Sequence, residues 1–166
     1  MPFTPFHFGP HTCVALPLQR YLDLPVFVTA NIVVDIEPLI VIFFEPDYPF
    51  HGYCHTFLVG GLIGALWGAI AYPFRDHIRR AMTALRLPYS ATLGKMLVSG
   101  LLGVWLHVLF DAVIYPEMKP FYPLSVNPFL SILAGGTVYA ICAWCFVPAL
   151  VMYFAMAVRK RVPPAG

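Results

Sequence analysis

The strongest constraint on this chain is the position of its few ionisable residues. Asp35 and Glu37 lie inside one long apolar run, His107 and Asp111 inside another, and His51 and His55 at the mouth of a third. Charged groups are costly within a bilayer and persist there when they are paired, hydrated or bound to an ion. Acids and imidazoles carried by separate apolar segments therefore predict one buried polar site.

Those apolar runs set the class. Of 166 residues, 60% are hydrophobic and 11% charged, far below the roughly 25% charged residues of soluble domains. The composition predicts a single integral-membrane domain, all-α. A net charge of +2 is too small to suggest a nucleic-acid partner. Cys13, Cys54, Cys142 and Cys145 show neither zinc-finger nor disulfide-framework spacing, and thiols on membrane helices behave as small hydrophobes. The opening MPFTPFHFGP has no basic stretch followed by an apolar core, so it does not read as a cleaved signal.

A helix needs about 20 mostly apolar residues to span a bilayer. Four stretches qualify: 25–44, 56–72, 92–115 and 129–158. Pro148 predicts a kink in the last, because proline lacks the N–H its helix would use. A shorter apolar piece, about 10–22 and broken by Pro17, cannot cross alone and reads as an interfacial or re-entrant helix. Arg75, Arg79, Arg80 and Arg86 occupy the loop between the second and third spans, and Arg159, Lys160 and Arg161 the tail. The positive-inside rule puts both in the cytoplasm, C-terminus included. The segments 45–55 and 116–128 then face outward, with Glu45, Asp47 and Glu117 against a single Lys119. Gly60, Gly61, Gly64 and Gly68 in the second span, and Gly94, Ser99 and Gly103 in the third, have small-residue spacing that allows close helix approach. This predicts tight packing within the bundle, with a homo-oligomer face as the alternative.

The polar residues come in pairs. His107 and Asp111, four apart on a helix, share a face. They read equally as two ligands of one ion or as an imidazole oriented by its carboxylate. His51 and His55 have the same spacing, though Gly52 interrupts any helix there. Asp35 and Glu37, two apart, point to one site only where the helix loosens near Pro38, and Asn31 lies one turn before Asp35. No Lys or Arg lies in the first, second or fourth span, and Lys95 sits at the far end of the third. A metal cation is then the natural counter-charge. His7 and His11 flank Gly9-Pro10 near the start, and His77 lies among surface arginines. Mixed imidazole and carboxylate ligation suits zinc and, less exclusively, manganese or iron. So many ligands favour two or three ions, a grouping that activates water and clamps a phosphoester.

The order of these motifs resembles the family of inner-membrane metal-dependent hydrolases, distantly similar to zinc-dependent phospholipase C and the single-strand-specific zinc nucleases. The matching positions run from His7 through Asp35 with Glu37, His51 with His55, and His107 with Asp111, followed by the loop Phe121-Tyr-Pro-Leu-Ser-Val-Asn-Pro128. Two departures stand out: the second element reads His-Gly-Tyr-Cys-His rather than His-Arg-Gly-x-Thr-His, and the first pair ends in Glu37. The resemblance implies a helical zinc-type phosphoester hydrolase of the prokaryotic-type inner membrane.

The resulting expectation is a four-span bundle with a short leading helix. Metal would be held by His7, Asp35, His51, His55, His107 and Asp111, one to three ions in all, and the site would open outward. Glu37 is the expected general base or bridging ligand, with Asp35 beside it. Tyr122, Ser125 and Asn127 mark the entrance or a plain structural turn. The substrate would be a phosphoester reaching the membrane, such as a lipid head group. The residues leave two other readings: a haem-binding electron carrier with imidazoles from two spans, and a non-catalytic scaffold or transport subunit. One conflict must be resolved by the fold. Asp35 lies about 15 Å of helix below Glu45, whereas His55 heads its span, so either the first helix ends early or the second starts deep.

Overall fold

A computed structural model describes residues 5–44 and 47–159. Glu45, Lys160 and Arg161, used above in reading charge, lie outside the described residues. The elements are α1 (Pro5–Ala15), α2 (Leu24–Val34), α3 (Ile36–Phe44), α4 (Phe57–Ala71), α5 (Arg75–Ala84), α6 (Leu93–Ile114), α7 (Gly135–Trp144) and α8 (Phe146–Arg159). Single 3₁₀ turns, Tyr53–His55 and Tyr72–Phe74, lead into α4 and α5. The described residues contain helices and no strands. Four helical stretches are long and apolar enough to cross a membrane: Leu24–Phe44, Phe57–Ala84, Leu93–Ile114 and Gly135–Val158.

Three of these stretches start on a side-chain cap. Asp23 accepts from Val26 N (3.2 Å), Thr56 Oγ1 from Val59 N (3.1 Å) and Thr92 Oγ1 from Lys95 N (3.2 Å), satisfying backbone donors that the first helical turn leaves free. Two stretches are broken by proline in the same way. Pro38 supplies no N–H to Val34 and its ring crowds that carbonyl, so α2 ends at Val34 and α3 begins after Asp35. Pro148 does the same to Trp144, and the break falls at Cys145 rather than at the proline itself. The last span also starts later than expected, at Gly135. The segment before it folds as turns, with Ser131 N bonded to Val113 O (2.9 Å) and Asn127 Nδ2 to Ala112 O (2.8 Å) at the end of α6.

The bundle is built on α6. The Gly60, Gly64 and Gly68 face of α4 packs on it, and a Cβ at Gly64 would run into Gly100 O, as one at Gly100 would run into Gly64 O. Here the small-residue face serves contact within one chain. The opposite face of α4 is apolar and outward, with Leu58, Leu62 and Leu66 each about 60% exposed. On its other side α6 meets α2, where Ala30, Val34, Val104, Val108 and Ala112 are fully buried. The leading helix begins earlier than the sequence pattern suggested and ends at Ala15, before Leu16, whose helical conformation Pro17 disfavours. It packs against α2, α7 and α8 with His7, His11 and Ala15 buried, so it is a short helix inside the bundle rather than one lying on its surface. From His7, beside His107, it runs past Gly103, whose carbonyl lies 2.9 Å from His11 Nε2, to Leu16, which packs with Leu24, Met82 and Leu87.

Replacing Gly64 with Leu should force α4 off α6 and cost at least about 1–3 kcal/mol, the usual range for overpacking. A detergent thermal melt would show this as a lowered transition. The lipid-facing Leu62→Ala should leave the melt nearly unchanged.

Candidate metal centre

Asp35 stands at the α2–α3 break, His55 closes the 3₁₀ turn before α4, and His107 and Asp111 project from one face of α6. One nitrogen or carboxylate oxygen from each lies within 4.8 Å of all the others, an arrangement that could hold a metal ion. His107 Nε2 is 3.2 Å from Asp35 Oδ1 and 3.2 Å from Asp111 Oδ2, and His55 Nε2 is 3.6 Å from Asp35 Oδ1. A tetrahedral ion with bonds of about 2.0–2.1 Å has ligand–ligand edges of about 3.3 Å. The three separations bracket that edge.

A carboxylate only accepts, so His55 Nδ1 donates to Glu37 Oε2 (2.8 Å) and His51 Nδ1 donates to Glu117 Oε1 (2.8 Å). Asn31 Nδ2 is committed to Val28 O (2.8 Å), which fixes its amide so that Oδ1 accepts from His107 Nδ1 (2.9 Å). In each neutral ring Nε2 is then a lone pair, and all three Nε2 atoms face Asp35 or Asp111. His55 Nε2, His107 Nε2 and Asp111 Oδ1 are buried without a hydrogen-bond partner among the described residues. Acceptor facing acceptor in a dry interior is unfavourable; a shared cation removes the conflict.

The other imidazoles differ in role. His7 Nδ1 is 2.9 Å from His107 Nδ1, which already carries its proton, so the His7 proton sits on Nε2, 3.4 Å from Asp111 Oδ1. Burial, reinforced by His107, brings the His7 pKa down to about 4, so the ring is neutral. His7 therefore turns its Nε2 proton toward Asp111 without a hydrogen bond to it, outside the four-atom group. His51 Nε2 lies 3.9 Å from Asp111 Oδ2, at the group's outer edge, and burial, then the adjacent His55, lowers its pKa. At His55 burial also acts downward, but Asp35 and Glu37 outweigh it and the net direction is upward. A proton on Nε2 is thus the competitor of a metal there. His11 is held between His7 O (2.8 Å) and Gly103 O (2.9 Å) and takes no part in the group.

Glu37 is not placed as a bridging ligand or base. Its Oε1 accepts from Tyr48 OH (2.9 Å) and Cys54 N (3.1 Å), its Oε2 from Gly52 N (3.0 Å) and His55 Nδ1 (2.8 Å). These four bonds draw the segment before α4 down onto the head of α3. The depth conflict disappears at both ends: α2 breaks at Asp35, and α4 starts deep enough for His55 to be fully buried. A Cβ at residue 52 would strike the Tyr48 ring, so a larger residue there would displace Tyr48 from Glu37.

Above the group lies a cavity of about 210 Å³ lined by Tyr48, His51, Tyr53, Glu117, Lys119 and Tyr122, among others. Tyr122 is at this mouth as expected, Asn127 instead caps the end of α6, and Ser125 does not line the cavity. Glu117, Tyr48 and Lys119 were not singled out from the sequence. The available signal for Glu117 was chemical: a ligating imidazole wants an acceptor on its other nitrogen, and His51 has none nearby in sequence. No protein family, curated protein or solved structure matches the chain.

Glu37→Ala should leave the half-buried Gly52 and Cys54 amides without their acceptor, at no more than about 1–3 kcal/mol for each group, the range for fully buried ones. Limited proteolysis should then cleave within residues 47–56 sooner than in the unaltered chain.

Proposed function

We propose that this chain is a membrane-embedded, metal-dependent hydrolase that binds zinc on Asp35, His55, His107 and Asp111 and cleaves a phosphoester. The observation that carries the reading is the set of imidazole lone pairs facing two carboxylates with every Nδ1 proton committed elsewhere. The four-atom group accounts for one ion. Two imidazoles and two carboxylates are a zinc-type donor set. Asp35 and Asp111 stand between the rings, where a porphyrin would need open space, which favours a bare ion over haem. The motif order that resembles the inner-membrane hydrolases supports the same assignment.

When bound, zinc would supply Lewis acidity and lower the pKa of a coordinated water. The residues divide the remaining work. Glu117 fixes the His51 ring, which presents Nε2 between the metal group and the mouth and is the group placed to accept a proton. Asn31 and Glu37 orient His107 and His55, and the buried walls exclude bulk water. The mouth lies at the end of the bundle whose only Lys or Arg among the described residues is Lys119, while Arg20, Arg75, Arg79, Arg80, Arg86 and Lys95 belong to the other end. By the positive-inside rule the arginine end and the C-terminus face the cytoplasm of a prokaryotic-type inner membrane, and the site opens outward.

Elemental analysis of protein purified without chelator should find about one equivalent of zinc, a stoichiometry set by one four-ligand group. His107→Ala should abolish zinc retention, and the zinc-loaded unaltered protein should hydrolyse a soluble chromogenic phosphodiester. Folded protein that takes up no metal would instead mean that protons bridge the imidazoles and carboxylates, and the hydrolase reading would fail.

A further inference from the structure

A second cavity adjoins the mouth. A groove of about 500 Å³ runs along α3, walled by Val33, Ile36, Ile40 and Val41 and ending at Glu37, Asp47, Tyr48 and Cys54. Its apolar wall belongs to the span Leu24–Phe44, at lipid depth, and Ile36 and Ile40 are each 49% exposed. Its polar end touches the residues that hold His55. Tyr48 lines both the groove and the mouth, so the two cavities meet at one side chain. Along this path the surface changes from hydrocarbon, past the Asp47 carboxylate and a Glu37 carboxylate occupied by its four donors, to the Tyr48 hydroxyl and then the ammonium of Lys119. The mouth's own acid, Glu117, is hydrogen-bonded to His51, leaving Lys119 to face an incoming anion.

We propose that groove and mouth form one site for a phospholipid of the surrounding bilayer. Its hydrocarbon tail would lie along Ile36 and Ile40, and its phosphate would rest against the Lys119 ammonium at the mouth. The proposal rests on the hydrolase reading for the fate of the head group, not for the binding itself. The order of surface chemistry carries the argument, since an anionic amphiphile has the same sequence of apolar and charged parts. A tail already in hydrocarbon gains little by moving to another apolar surface. The groove therefore acts by alignment, holding the phosphate at the height of the mouth while the chain stays in the membrane.

The test uses the full chain in nanodiscs with a long-chain alkyl phosphate carrying a diazirine in its tail, followed by peptide mapping of the cross-links. Labelling should concentrate on α3 around Ile36 and Ile40 and be displaced by unlabelled long-chain alkyl phosphate but not by inorganic phosphate. Ile40→Trp, which fills the groove from the lipid side, should reduce that labelling about tenfold, the factor given by 1.4 kcal/mol of alignment. Lys119→Gln should weaken it several-fold. Labelling spread equally over α3 and the Leu58, Leu62 and Leu66 face of α4 would overturn the proposal, as would labelling indifferent to both substitutions. Zinc content measured on the same samples separates the two readings. Zinc without groove labelling removes only the lipid site, and groove labelling without zinc removes only the hydrolase.

Discussion

The end of this bundle that carries the mouth depends on the carboxylate of Glu37. By accepting from Tyr48, Gly52, Cys54 and His55, it anchors the segment before α4 to the head of α3. That anchor brings His55 to the level of Asp35, whose Oδ1 lies 3.6 Å from His55 Nε2. Two structural consequences follow from one side chain. The His55 proton is fixed on Nδ1, which turns Nε2 toward Asp35, and the connecting segment is folded inward until Tyr48 and Tyr53 wall the mouth. Hydrogen bonds to an ionised acceptor are the strong ones, and here they replace the water that a carboxylate at this depth would otherwise need.

The backbone prepares the same site by different means. Pro38 interrupts the first span at Asp35 and so places a carboxylate of the candidate metal group at a helix break, where it can turn across the bundle. The glycine contact between α4 and α6 brings the backbone carrying His55 close to the helix carrying His107 and Asp111. The short α1 then closes the remaining side, with His7 Nε2 3.4 Å from Asp111 Oδ1 and His11 lodged against Gly103 O. Each ring is thus oriented by a partner on a different element: Glu37 on α3, Asn31 on α2, and Glu117 in the segment after α6. Such outer partners set ring orientation and ligand basicity in metal sites, and the site is therefore a property of the whole bundle.

Much of this was legible in the residues. The spans, the pairing of His107 with Asp111 and the intramolecular use of the glycine faces follow from hydropathy and helical spacing, because those rules act within one helix or on its surface. The placement of the proline breaks was nearly legible: the broken position is the residue after the crowded carbonyl, not the proline. Glu37 was misread because an acid two residues from a ligand looks like a second ligand until its four donors are known. Glu117 was passed over because nothing along the chain links it to His51, 66 positions away.

The sequence alone determined that the chain is an apolar helical bundle and that its acids and imidazoles lie where they cannot stay unpaired, since side-chain periodicity and the cost of burying charge are local properties. Tertiary structure decided which atoms meet. It separated four converging donors from the carboxylates that only orient them, and it put the mouth beside a groove on α3. Those outcomes depend on the height at which one helix ends and the next begins, and that height is set by contacts between segments far apart in the chain.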